Sequence, residues 1–158
     1  MENEHKYRVV AWWTSGRAGI AKSESAPNAI HFTAPPQFGG LEGRWTPEDL
    51  LMTALASCFT TTFHAIAGSS KFEYTDFAVE AEGTVGKTEN GYCFSEIAIR
   101  PRLTIPNEAQ REKAISLLHK AEALCLVSRA LATVPKFEAR IEIRKHSHQS
   151  EDRGLHVC

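Results

Sequence analysis

The chain has 158 residues and a formal net charge of −1. This length favours a single domain with its own core. The near-neutral charge carries no electrostatic footprint for nucleic acid, so we expect no nucleic-acid partner. The N-terminal stretch MENEHKYRVV lacks the charged-then-apolar layout of a signal peptide, which favours a cytoplasmic protein.

Strands are predicted for the first third of the chain. The segment YRVVAWW (7–13) reads as a strand, and TSGRAG (14–19) as a tight turn. Further strands are predicted at 20–23 and 29–33. The following segment is rich in proline and glycine, which predicts an irregular connection at 35–43.

A long apolar helix is predicted for TPEDLLMTALASCFTTTFHAIA (46–67). Thr46 can cap it, Pro47 suits its first position, and Glu48 and Asp49 meet the positive end of its dipole. No charged residue follows until after residue 70. A helix that is apolar nearly all round is normally buried on every side. Its polar residues and the lack of basic anchors beside it argue against a membrane span.

The second half of the chain is predicted to be a hairpin, a helix and a strand. The hairpin has strands at 72–85 and 93–105, with Asn90-Gly91 in its turn. Helical spacing then runs from Asn107 past Cys125 to near Pro135, and FEARIEI (137–143) alternates as a strand. This order predicts an α+β fold, with one domain over 1–145 and a polar tail over 146–158. One small sheet cannot cover the apolar helix, so we expect a homodimer whose sheets wrap paired helices.

Thiols are the candidate reactive groups. None of the four cysteines has C-x-x-C spacing, so neither a disulfide scaffold nor a zinc ribbon is expected. His146 and His148 could bind metal, but solvated side chains suit the polar tail better, and we expect no metal. A buried thiol is usually inert, so a reactive Cys58 would require a nearby cation to hold its thiolate. The four cysteines are Cys58, Cys93, Cys125 and Cys158.

Two motifs resemble the OsmC/Ohr family, the osmotically induced and organic-hydroperoxide-resistance proteins. TPEDLLMTALASCF resembles the family's helix motif, in which Cys-Phe follows ten residues after Glu. CLVS (125–128) is similar to the second motif, Cys-Pro-x-Ser, with Leu126 in place of proline. The resemblance implies an OsmC-like fold, antiparallel sheets around central helices in an intertwined homodimer, with active sites at the interface.

The resemblance also implies roles for individual residues. Cys58 corresponds to the peroxidatic cysteine, Cys125 to the resolving cysteine and Glu48 to the acid. Arg17 matches the turn arginine of the Ohr branch, and Arg44 stands where the OsmC branch places its arginine, so both remain candidates. The implied activity is reduction of organic hydroperoxides by thiols, with an external dithiol and no cofactor. Cys93 and Cys158 match neither motif and are read as non-catalytic.

Helix geometry adds an expectation about the dimer. Glu48 and Cys58 are ten residues apart, so they are about 15 Å apart along the helix axis and about 80° apart around it. If two copies of the helix cross antiparallel, Glu48 of one chain can approach Cys58 of the other. We therefore expect composite sites. The competing function is a non-enzymatic dimer on the same fold, for small-ligand binding or stress response, because fold alone does not fix function.

Overall fold

The computed structural model describes residues 4–144, and the predicted α+β class is confirmed. The first sheet contains three antiparallel strands in the order β1-β2-β3. A 3₁₀ turn at Pro36–Phe38 lies in the connection that follows, in the predicted irregular segment. The strands of this sheet are β1 (Val9–Ser15), β2 (Ala18–Ser23) and β3 (Ile30–Thr33).

Helix α1 (Pro47–Ser69) begins where its capping residues predict. The Thr46 hydroxyl accepts from the Asp49 N–H at 3.1 Å, and the Asp49 carboxylate accepts from the Thr46 N–H at 3.0 Å. This capping box satisfies two of the donors that every helix start leaves free. Pro47 occupies the first turn, where its missing N–H costs nothing.

The second sheet is built on a long hairpin of β4 (Asp76–Thr88) and β5 (Gly91–Ile105). Gly91 follows the turn with a φ of 109°, a conformation that glycine adopts readily. The predicted last strand is two short ones, β6 (Lys136–Phe137) and β7 (Arg140–Ile143). Both pair with β5 in parallel, so this sheet is mixed and not purely antiparallel as expected.

The core lies between α1, the inner face of β5 and helix α2 (Arg111–Leu124). The prediction that α1 is buried on every side is not met within one chain, because only 28% of its most apolar 18-residue window is buried. Helix α1 is also long and apolar enough to cross a membrane, a test that the core helix of a soluble protein passes as well. The absence of a membrane-spanning segment therefore stays an expectation. The buried residues of α1 are Leu55, Phe59, Phe63, Ile66 and Ala67.

The prediction of one helix running through Cys125 is wrong. Helix α2 ends at Leu124, Cys125 has the extended angles φ −61° and ψ 111°, and helix α3 (Leu126–Ala130) starts directly afterwards. The Cys125 N–H donates to the Ala121 carbonyl at 2.9 Å, and the Cys125 carbonyl accepts from the Arg129 N–H at 3.1 Å. After the break, Val127 and Leu131 pack against the core. The helical spacing of apolar residues in the sequence does not reveal these tertiary contacts.

Three predictions concern residues outside the described range. His146, His148 and Cys158 lie beyond residue 144, as does the predicted boundary between the domain and its tail. Within residues 4–144, no three His, Cys, Asp or Glu side chains come together in a group that could hold a metal ion.

Candidate active site

Cys58 and Cys125 come together where α1 packs against the break between α2 and α3. Cys58 is half-buried on α1, and Cys125 is fully buried at the break. Cys125 belongs to the core cluster, Cys58 packs against it, and each thiol influences the titration of the other. Two residues 67 positions apart in the sequence thus form one thiol pair.

The surroundings of Cys58 favour its thiolate. Burial by itself raises the pKa of this thiol, but the hydrogen-bond donors around it reverse the shift. The strongest are the backbone N–H of Val127 and the Cys125 thiol, followed by the Leu126 N–H and the Thr62 hydroxyl. Because donors favour the charged form, the pKa of Cys58 lies below the ordinary value of a thiol.

Cys125 is shifted in the opposite direction. Burial raises the pKa of its thiol, and the neighbouring Cys58 raises it further. The N–H groups of Ser128 and Val127 offset this only in part. A second negative charge beside a first is unfavourable, so the pair loses its first proton mainly from Cys58. Cys58 is therefore the more readily ionised thiol of the pair, and Cys125 is the one that keeps its proton longer.

The backbone donors come from the start of α3. Leu126 and Val127 occupy its first two positions, whose N–H groups have no acceptor inside the helix. The extended angles of Cys125 turn this start toward α1. These donors could not be predicted from an unbroken helix, in which both N–H groups would bond to carbonyls one turn earlier.

Glu48 lies at the other end of α1. One of its carboxylate oxygens, Oε2, is buried and has no hydrogen-bond partner within the described residues. The side chain lines a cleft of about 480 Å³ between α1 and the β4–β5 hairpin, together with Met52, Gly83 and Phe94. An unpaired buried carboxylate oxygen is costly, so this position calls for a donor that residues 4–144 of one chain do not supply.

Arg17 is exposed in the turn between β1 and β2. It lines a second cleft, of about 410 Å³, with Trp12, Trp13 and Pro47 among its neighbours. A Cβ placed on Gly39 would lie 3.7 Å from the Arg17 Cδ, so the arginine stem passes this loop in ordinary contact. Arg44, the other candidate cation, is also exposed.

The predicted site residues thus fall into two groups within one chain. Cys58 and Cys125 are together, whereas Glu48 and Arg17 lie near the start of α1. Among the ion pairs of residues 4–144, none joins Glu48 to either arginine. Within one chain, the groups that lower the pKa of Cys58 are neutral donors and not the cation expected from the sequence. Cys93 is exposed on β5.

Comparison with known proteins identifies the family. The model for the OsmC-like proteins matches residues 40–140, a segment that contains both thiols and Glu48. The chain therefore belongs to the OsmC-like family, as the two sequence motifs imply.

Individual relatives support this assignment. Protein YmaD of Bacillus subtilis is 28% identical over 131 residues, which cover 81% of this chain and 87% of YmaD. Peroxiredoxin OsmC of Escherichia coli K12 is 24% identical over 116 residues, 73% of this chain and 80% of that protein.

A solved structure shares the fold. An organic hydroperoxide resistance protein from Elizabethkingia anophelis superposes with a TM-score of 0.70 at 23% identity. The superposition covers 91% of this chain and 100% of that protein's chain. The family is associated with peroxide and stress resistance, as the names of this peroxiredoxin and of this hydroperoxide resistance protein indicate.

Proposed function

We propose that this protein is a thiol-dependent peroxide reductase that acts on organic hydroperoxides. The observation that carries the proposal is the pairing of Cys58 and Cys125 with opposite pKa shifts. A peroxide-reducing thiol must be a thiolate when it attacks, and its resolving partner must lie close enough to form a disulfide. Family membership supports the same chemistry.

The proposed cycle begins with the Cys58 thiolate. Its sulfur attacks the terminal peroxide oxygen, so an S–O bond forms, the O–O bond breaks, and the organic oxygen leaves with a proton as an alcohol. The Cys58 sulfenic acid then condenses with the Cys125 thiol, which forms the disulfide and releases water. An external dithiol reduces this disulfide by two exchange steps and is itself oxidised. The cycle needs no metal or organic cofactor.

We further propose that the working form is a homodimer with composite sites, each with the Cys58–Cys125 pair of one chain and Glu48 of the other. Three features of the single chain support this. All seven residues of β1 are exposed, with Trp13 at 76%. Much of the apolar helix α1 is uncovered. The buried Oε2 of Glu48 has no partner within residues 4–144. A two-fold interface would cover these surfaces and close both sites at once.

The experiment that tests the function is stoichiometric. The reduced protein is mixed with cumene hydroperoxide without dithiol, and remaining peroxide and free thiols are measured. We expect about one peroxide consumed per chain, with loss of the Cys58 and Cys125 thiols together. Cys58→Ser should consume none, and Cys125→Ser should consume about one and leave a trappable sulfenic acid. If the reduced wild-type protein consumes no peroxide, the non-enzymatic ligand-binding function is favoured instead.

A further inference from the structure

The outer face of the second sheet carries two exposed arginines side by side. On β5, every second residue from Ile97 to Ile105 is buried, so the residues between them point to the outer face. Arg102 is one of these outward residues, and its register partners are Ala78 on β4 and Arg140 on β7. Arg102 and Arg140 are both exposed, and we call them the arginine pair. The pair lies on the side of the sheet that faces away from the core.

The neighbouring arginine of β5, Arg100, has carboxylate partners. It donates to Glu80 and Glu138 at 2.7 Å each and to Glu82 at 3.3 Å. Among the ion pairs of residues 4–144, none involves either member of the arginine pair. The same face of the sheet thus holds one arginine whose charge is balanced and two whose charges are not.

The arginine pair borders an open cleft on this face. The cleft has a volume of about 510 Å³, and both arginines of the pair line it together with Arg100 and Ala78. Ala78 has a small side chain, which leaves room beside Arg102. Like charges in register on neighbouring strands repel, because the strands are only about 4.8 Å apart. This position therefore calls for an anion that residues 4–144 of one chain do not supply.

The surroundings of the arginine pair select the kind of anion. Guanidinium groups bind phosphate and carboxylate oxygens through paired N–H donors. The pair carries two positive charges, which a phosphate dianion balances and a single carboxylate does not. Carboxylates in the neighbouring rows of this face would repel an extended polyanion such as a nucleic acid, so the site suits one phosphate group. These carboxylates are Glu80 and Glu138 on one side and Asp76 and Glu142 on the other.

We propose that the arginine pair is a binding site for a phosphate dianion, either as the free ion or as the phosphate of a monoester. Both guanidiniums donate N–H groups to the phosphate oxygens, and the cleft beside Ala78 receives the group. The organic part of a monoester extends toward solvent from the open cleft. The site lies across the sheet from the core that contains Cys125, so the proposal does not depend on the proposed peroxide chemistry.

The test measures the binding of inorganic phosphate to the full chain by isothermal titration calorimetry, at about pH 8, where phosphate is mainly a dianion. Sodium chloride keeps the ionic strength constant, because salt screens exposed charges. Three variants each remove one positive charge. Arg102→Gln and Arg140→Gln change the arginine pair, and Arg144→Gln changes an exposed arginine further along the chain. Circular dichroism checks that each variant is folded.

For the wild-type protein we expect one bound phosphate per chain. Arg102→Gln and Arg140→Gln should each weaken binding about tenfold or more, the loss expected when a hydrogen bond to a charged group is removed. Arg144→Gln should keep the wild-type affinity. The proposal is wrong if the wild-type protein binds no phosphate, if the two pair variants bind it as well as the wild type does, or if all three variants lose affinity equally.

Thermal unfolding gives a second measurement. Phosphate should raise the unfolding midpoint of the wild-type protein and of Arg144→Gln, and it should raise that of Arg140→Gln much less, because a ligand stabilises the folded state that it binds. Without phosphate, Arg102→Gln and Arg140→Gln should not lower the midpoint, since each removes a repulsion between like charges. A lower midpoint in either variant would show that the arginines already have partners, against the proposal.

Two further ligands test the chemistry and its source. Acetate, which carries a single charge, should bind much more weakly than phosphate, and equal binding of acetate would overturn the assignment to phosphate. Adenosine monophosphate carries the same dianion as a monoester. If it binds as tightly as inorganic phosphate, the site accepts monoesters, and if only inorganic phosphate binds, the ligand is the free ion. Both results support a phosphate site.

Discussion

The start of α1 and the turn that carries Cys58 lie on the same helix in different surroundings. At Cys58, one chain supplies a second thiol, two backbone donors and a hydroxyl. At Glu48, the described chain leaves a buried carboxylate oxygen without a partner beside an open cleft. The donors around Cys58 are thus present within one chain, whereas the surroundings of Glu48 are incomplete. Thiol activation can therefore be studied separately from assembly of the whole site.

The sharpest way to break this comparison is to mix two inactive variants. Cys58→Ser lacks the nucleophile, and Glu48→Ala lacks the acid. If each site uses Cys58 of one chain and Glu48 of the other, a mixed dimer contains one intact site. Equal amounts, dissociated and reassociated, should then recover about a quarter of the wild-type peroxidase activity by random pairing. Activity is measured with cumene hydroperoxide and a dithiol.

The control for the mixing experiment is each variant taken alone through the same dissociation and reassociation. Recovery should appear only in the mixture. If the mixture stays inactive while native mass spectrometry shows that mixed dimers form, the site uses Glu48 and Cys58 of one chain and the composite arrangement is wrong.

Several parts of the fold could be predicted because local chemistry determines them. Thr46, Pro47 and Asp49 fix the start of α1, and Asn90-Gly91 fixes the β4–β5 turn. The break at Cys125 could not be predicted, because apolar spacing continues through it and Leu126 permits a helix. Val127, two residues after the break, packs against the core, and this tertiary contact cannot be read from the sequence.

The candidate site divides in the same way. The resemblance predicted Cys58 and Cys125 as a pair, and the fold brings them together. It could not reveal the donors of Leu126 and Thr62, which depend on the break and on the direction of side chains along α1. The roles of all four residues stay predictions, and one chain brings neither Glu48 nor Arg17 to Cys58.

A second test compares the covered and uncovered surfaces by stability. Phe59 is 1% exposed on the inner face of α1, so Phe59→Ala should lower the free energy of unfolding by about 3–5 kcal/mol. Trp13 is 76% exposed in one chain, so in a monomer Trp13→Ala should change the free energy of unfolding by no more than about 0.5 kcal/mol. Chemical denaturation at several protein concentrations measures both.

The dimer proposal changes the expectation for Trp13. If a partner covers β1, Trp13→Ala destabilises the protein more than the exposure of Trp13 in one chain suggests. The midpoint of unfolding of this variant then rises with protein concentration. A small effect that does not depend on concentration would show that β1 is uncovered in solution, against the dimer.

The third prediction concerns the missing cation. Arg17→Ala should slow the reaction of Cys58 with hydroperoxide about tenfold or more, the loss expected when a hydrogen bond to a charged group is removed. Arg44→Ala should slow it much less. Stopped-flow consumption of peroxide by reduced protein provides the measurement, and Arg17→Lys separates charge from the forked geometry of the guanidinium. The reverse ranking would assign the role to Arg44.

The smallest expected effect tests the thiol end alone. Leu126→Pro removes one N–H beside Cys58. The backbone can accommodate the proline, because the first helical position suits proline and Cys125 already has extended angles. Losing a donor raises the pKa of Cys58, so the alkylation profile should move to higher pH and the rate at pH 7 should fall about fivefold. Leu126→Ala keeps the N–H and should keep the profile. If both variants shift alike, the leucine side chain and not its N–H tunes the thiol. Because the Val127 N–H and the Thr62 hydroxyl remain, even Leu126→Pro should retain a pKa of Cys58 below that of an ordinary thiol.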